Sequence, residues 1–302
     1  MVLIMAIINN AHAGSEVSLL CLIYRVIFRN NQKLSVEDLG ALCRPENLPI
    51  NENQKKKFHE NLRFWMADEH QLWCKDDNSR LALTKVAASD SPAAISVVTN
   101  EALFESRVSD IFGSKENQTE ELFVGLGCLL ASDKFSLDAS RRIDSNELDK
   151  FFAENMPKFI PNTNEKPVLR AYGRFLGYLE VDAHGEYVDP TRAVMGVLDE
   201  LFESIDEMPI ADFLRRLAER LPLMDGGAYR EQVEDRMTGP FSAEPSSGKI
   251  SKSLSIAIER LKFMGTVSYS GNSDDPDVKS LQTSTGNKVI SFVRYHRDGT
   301  KA

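Results

Sequence analysis

No apolar run in the 302-residue chain approaches the ~20 residues that a membrane-spanning helix needs. The leader Met1-Val-Leu-Ile-Met-Ala-Ile-Ile8 is too short for a signal peptide and lacks a basic start. It reads as a buried strand or a lead-in to the first helix, with Met5 as an alternative start. Cysteine is scarce: Cys21, Cys43, Cys74 and Cys128 are widely spaced, with no CxxC pair. That spacing argues against zinc sites and disulfides and for buried thiols in a cytoplasmic protein. The histidines His12, His59, His70, His184 and His296 are scattered, and His59, His70 and His184 read as surface residues. There is no P-loop, no GxSxG and no HExxH. Gly125-Leu-Gly127 lacks the third glycine and acidic partner of a dinucleotide fingerprint, and reads as a place of close helix packing. The acidic pairs Asp199-Glu200 and Asp206-Glu207 read as solvated helix faces. The chain is therefore expected to be no enzyme, and to need neither metal nor cofactor.

Positive charge is also in short supply. The chain carries 36 Lys and Arg against 45 Asp and Glu, a net charge of −9. Strong non-specific DNA binding by the whole molecule is thereby disfavoured. The balance is uneven, because residues 251–302 hold eight Lys and Arg against five Asp and Glu. Any nucleic-acid contact is expected to be local, and the acidic remainder suits protein partners.

What the sequence does have is a repeated grammar. Ile250, Leu254, Ala257, Leu261 and Met264 recur at helical spacing, which marks one face of an amphipathic helix. Gly265 then ends it. Thr266–Tyr269, a long polar loop and Asn287–Tyr295 follow, rich in the valine, isoleucine and aromatics of strands. The same helix-then-hairpin order occurs twice more. Phe58, Leu62 and Trp65 lead into His70–Cys74, a Lys75–Ser79 turn and Arg80–Thr84. Leu169, Tyr172, Leu176 and Leu179 lead into Glu180-Val181, an Asp182–Gly185 turn and Glu186–Val188. Such a periodicity of pattern is the signature of repeated units. The fold class expected is mainly α with small β-hairpins, built as tandem winged helix-turn-helix units over residues 1–90, 91–207 and 208–302.

Within the first unit, Ser15 caps a helix over Glu16–Arg29, Ser35-Val-Glu-Asp38 opens a second that Pro45 closes, and Asn53 caps a third. Ala88–Ala93 reads as a linker and Glu101–Phe112, Thr119–Leu130 and Asp144–Asn155 as helices. Pro190–Ile205, Ile210–Leu221 and Tyr229–Met237 follow as helices, and Thr238–Gly248 as a loop.

The candidate DNA-binding residues are the basic positions that a winged helix presents to a duplex. In the first unit, Lys55, Lys56, Lys57 and Arg63 lie on the third helix, and Lys75 and Arg80 flank the wing turn. In the last, Lys249, Lys252 and Lys262 lie on or beside the helix, and Lys288, Arg294 and Arg297 on or just past the wing. Such residues suit phosphate contacts, which add affinity without reading sequence.

Several segments are familiar: Met5–Asn10, Glu37–Cys43, Asn61–Trp65, Arg170–Leu176, Asp189-Pro-Thr191 and Leu217–Pro222 with Asp225-Gly-Gly227. Together they make the chain resemble the DpdG family, accessory components of bacterial clusters that insert 7-deazaguanine derivatives into DNA and restrict unmodified DNA. The resemblance implies an intracellular accessory protein of a phage-defence system, working beside nuclease, helicase and base-modifying subunits. It brings no catalytic residues.

The leading expectation is a DNA-binding adaptor that touches double-stranded DNA locally, assembles with other subunits of a defence complex and has no membrane contact. One alternative is a purely protein-binding tandem winged-helix scaffold of a larger ATPase or nuclease complex. Another is a winged-helix transcriptional regulator, which would need a dimer and a defined operator.

Overall fold

A computed structural model describes residues 7–8, 16–31, 33–44, 51–67, 71–105, 110–112, 120–139, 141–159, 161–238, 248–272, 274 and 276–297. Among these are 11 helices and nine short strands, all strand pairs being antiparallel. Contacts divide the chain into two compact units. One comprises Met1–Leu122 and Pro167–Phe175, the other Phe123–Lys166 and Leu176–Ala302.

The first unit begins with α1 (Val17–Arg29), α2 (Val36–Leu42) and α3 (Glu52–Phe64), followed by β1 (Trp73–Lys75) and β2 (Leu81–Leu83). Leu20, Ile23, Tyr24 and Ile27 fall on one side of α1 and are all fully buried, as their spacing dictates. Ser35 caps α2 by accepting from the Asp38 amide at 3.0 Å, and Glu37 and Asp38 favour its positive end. The cap of α3 is Asn51, whose side chain accepts from the Asn53 amide at 3.0 Å, two residues before the expected Asn53. Trp73 is fully buried and donates its indole N–H to the Leu62 carbonyl at 2.9 Å, tying the hairpin to α3. The next helix, α4 (Pro92–Phe104), corrects the expected linker and the helix predicted from Glu101. Ser91 caps it through the Ala94 amide at 3.2 Å, and Pro92 fills its first turn, where a missing N–H costs nothing. The "breaker" composition of this stretch is thus a helix start.

In the second unit, α5 (Glu121–Ala131) is followed by α6 (Ser145–Asn155), capped by Asp144, whose side chain accepts from the Asn146 and Glu147 amides. Helix α7 (Glu165–Phe175), which from Pro167 onward belongs to the first unit, precedes in the chain the hairpin of β3 (Leu179–Asp182) and β4 (Gly185–Val188). Then come α8 (Thr191–Phe202), β5 (Glu207–Pro209), α9 (Ile210–Arg220), α10 (Ala228–Glu234) and α11 (Lys252–Phe263). The chain ends in β6 (Val267–Ser270), β7 (Lys279–Thr283), β8 (Gly286–Ile290) and β9 (Phe292–Tyr295). The single strand expected over Asn287–Tyr295 is two, broken at Ser291, whose amide donates to Ser270 and whose carbonyl accepts from Ile210. Neither β5 nor β7 was expected. The stripe predicted on α11 holds at Ile250, Leu254, Ala257 and Leu261, but Met264 is 51% exposed.

One connection recurs three times. A residue or short strand just before a helix pairs with a strand of the later hairpin: Leu34, before α2, with Leu81 of β2, Ile143, before α6, with Glu186 of β4, and Glu207–Pro209 of β5, before α9, with Phe292–Arg294 of β9. The three-stranded sheet accordingly has the order β5-β9-β6, with β7 and β8 as a separate ribbon. No helix among the described residues is long and apolar enough to cross a membrane. Ile7 and Ile8 are buried. Ser15, Pro45, His70, most of the leader and most of the Thr238–Gly248 loop lie outside the described residues.

Candidate nucleic-acid interface

The helices that lead into the three hairpins differ in what they leave bare. On α7 only Pro167 and Arg174 are exposed, and on α11 only Lys262 and Phe263. Helix α3 is the opposite: Glu52–Lys57, His59 and Arg63 are all exposed, while Asn61, Leu62 and Phe64 face the core. Lys55, His59 and Arg63 stand four residues apart and so share one face of the helix. Lys75 and Arg80 are exposed at the two ends of the β1–β2 turn. Asp76 shapes that turn by accepting from the amides of Asn78 and Arg80 at 2.9 and 2.8 Å. Among the described residues, Lys55, Arg63, Lys75 and Arg80 have no acid partner. Lys56 lies 3.7 Å from Glu60, and Lys57 is 2.9 Å from Glu16. The hydrogen bond and charge of Glu16 raise the Lys57 ammonium above its ordinary value.

The basic positions of the last segment are engaged within the protein. Lys252 pairs with Asp138 at 2.9 Å, Lys288 with Glu259 at 2.6 Å and Arg294 with Glu207 at 3.0 Å. Arg297 lies 3.7 Å from Asp199 and 3.6 Å from Asp206, and it also donates to the Glu203 and Ile205 carbonyls. The Lys262 ammonium sits 3.9 Å above the Tyr269 ring, a cation–π contact. Lys249 is exposed and its backbone bridges to Ser280. Burial would raise the Glu259 carboxyl, but hydrogen bonds from Lys288 and Tyr269 outweigh it and hold it below its usual range. A phosphate arriving at Lys252, Lys288, Arg294 or Arg297 must displace a carboxylate, whereas Lys55, Arg63, Lys75 and Arg80 hold none among the described residues.

Sequence reasoning missed the acids that hold these lysines. Glu60 is legible at four residues from Lys56, whereas Glu16 lies 41 residues from Lys57 and leaves no local signal. His59, read as a solvated residue, shares the face of Lys55 and Arg63.

Elsewhere, the family-like motifs turn out to be structural. Asp189 is fully buried, accepts from the Thr191 amide at 3.0 Å and from its hydroxyl, and pairs with Arg260. Asp225 accepts from the Ser251 amide at 2.6 Å, at the start of α11. A side chain on Gly227 would come 2.3 Å from the Pro222 carbonyl oxygen. All four thiols are free, and burial pushes Cys21 and Cys43 up to about 11 and Cys128 to about 12, away from thiolate chemistry. A cavity of about 620 Å³ between Leu214, Pro222, Ile250, Lys249 and Lys279 has no Ser, Thr, Tyr, Cys or His among the described residues of its lining. A second, of about 520 Å³, is bordered by Arg141, Arg142 and His184. Its arginines pair with Glu147 at 2.8 Å and Asp182 at 3.0 Å. Among the described residues no three His, Cys, Asp or Glu cluster as metal ligands do.

A model of a family described as DpdG-like matches residues 5–275. No curated protein and no solved structure matches the chain.

Proposed function

The chain belongs to the DpdG-like family, and from that membership and the bare basic face of α3 we propose a non-enzymatic adaptor of a bacterial phage-defence system. It touches duplex DNA through its first segment and other subunits of the defence complex through the rest, in the cytoplasm. The observation that carries the DNA contact is the unpaired set Lys55, Arg63, Lys75 and Arg80 on a helix and an adjoining hairpin turn. In a winged helix-turn-helix these are the groove-facing helix and the wing. The recurring bond from before the second helix to the last strand, and the β5-β9-β6 order, support reading all three segments that way. The −9 net charge agrees with a contact confined to one segment, because distant acids oppose a wider footprint.

The test is binding to a short duplex across a salt series. Four phosphate contacts predict a log–log slope of roughly −3 to −4, at about −0.9 each. Lys55→Glu with Arg63→Glu should lower affinity at low salt by about tenfold or more, whereas Lys288→Glu with Arg294→Glu should change it little.

A protein-only scaffold is the second reading, favoured by Phe263, which is 95% exposed, beside the half-exposed Met264. Absence of duplex binding at low salt, with stable capture of a neighbouring subunit, would select it.

A further inference from the structure

Two of the six basic candidates in the first segment are held by acids, and those acids belong to different elements. Glu16, just before α1, reaches Lys57 at 2.9 Å, and Glu60, one turn along α3, stands 3.7 Å from Lys56. All four side chains are open to water: Lys57 is 58% exposed and Glu16 42%, Lys56 76% and Glu60 35%. Pairs this exposed are weak and exchange readily. They do not lock the fold; they compete with whatever anion approaches α3. The unpaired Lys55 and Arg63 flank them along the same helix, so a phosphate bound there lies within a Debye length of both carboxylates.

We propose that Glu16 and Glu60 form an intramolecular brake on the α3 surface, occupying Lys57 and Lys56 with ion pairs that a nucleic-acid phosphate must displace. The proposal rests on the DNA-contact reading above. The brake sets affinity in a graded way. High salt weakens the internal pairs and the phosphate contacts alike, while low salt strengthens both, so the acids flatten the salt response. Removing them frees two further cations for counterion release.

Glu16→Gln is expected to tighten duplex binding two- to fivefold at low salt, and Glu16→Gln with Glu60→Gln up to about tenfold. The log–log slope should steepen by about 0.9 for each freed lysine. Glu231→Gln, which removes one exposed acid from α10, controls for net charge. Lys57→Gln closes a cycle: it should cost little in the native background and should reverse the gain in the Glu16→Gln background. If Glu16→Gln and Glu60→Gln match Glu231→Gln at every salt concentration while Lys55→Glu with Arg63→Glu still abolishes binding, the brake is refuted and the DNA site stands. If Lys55→Glu with Arg63→Glu leaves binding intact, the site itself is wrong and the brake falls with it.

Discussion

Arg260 is the side chain whose loss should be felt most for its exposure. It lies on α11, is 40% exposed, and pairs with Asp189, whose side chain is 0% exposed at the start of α8. Arg260→Met keeps the aliphatic stem and removes the charge. Asp189 then keeps its bonds from the Thr191 amide and hydroxyl but loses its counter-ion in a dry site. Breaking a buried pair from one side costs about 3–5 kcal/mol. The two surviving hydrogen bonds and the half-open arginine place this case near the lower end, about 3 kcal/mol. At about 2–4 °C per kcal/mol for a unit of this size, the midpoint should fall by roughly 6–12 °C. Thermal and urea unfolding followed by circular dichroism would measure it. Asp189→Asn in the same background should recover part of the loss, because the amide needs no counter-ion yet still accepts from Thr191. Arg294→Met, which breaks the exposed pair with Glu207, should stay within about 1 kcal/mol. An Arg260→Met protein as stable as the parent would refute the view that this pair ties α8 to α11.

Two other stability predictions concern buried groups. Both carboxylate oxygens of Glu120 are buried without a hydrogen-bond partner among the described residues, and burial, with the neighbouring Glu121 charge, pushes the group from 4.5 up to about 7. The folded state holds this proton more tightly than the unfolded chain, so the contribution of Glu120 to stability is fully present below pH 4.5 and is lost as pH rises through about 7. Glu120→Gln should therefore raise stability at pH 8 by about 3 kcal/mol and leave it nearly unchanged at pH 4; an equal effect at both would contradict the assignment. Gly227→Ala should cost about 2 kcal/mol in urea unfolding, because the new carbon would meet the Pro222 carbonyl at 2.3 Å.

Helices were the legible part of the sequence wherever a cap and a stripe coincided. Asp144 before α6 and Ser35 before α2 are examples, and the turns at Lys75–Ser79 and Asp182–Gly185 likewise announced their hairpins. The failures have a common cause. Strand β7 contains one apolar residue, Leu281, and β5 reads Glu-Met-Pro, so neither carries a strand pattern of its own: β5 is made by pairing with the distant β9, and β7 by pairing with the adjacent β8. At Ser91-Pro92, composition suggested a breaker where position made a helix start. The basic candidates were legible by type and spacing. Their accessibility was not, because an ion pair such as Arg297 with Asp199 joins residues far apart in the chain. The surplus of positive charge at the C-terminus therefore pointed to the last segment, whereas Lys55, Arg63, Lys75 and Arg80, without an acid partner among the described residues, lie on the first.

The measurement that tests the account most directly is duplex binding by the full chain from low to moderate salt, comparing the parent with Lys55→Glu, Arg63→Glu protein. The account predicts measurable binding with a slope of roughly −3 to −4, shallower and much weaker in the variant. Equal binding by both proteins, or none by either at the lowest salt, would contradict a DNA contact on α3.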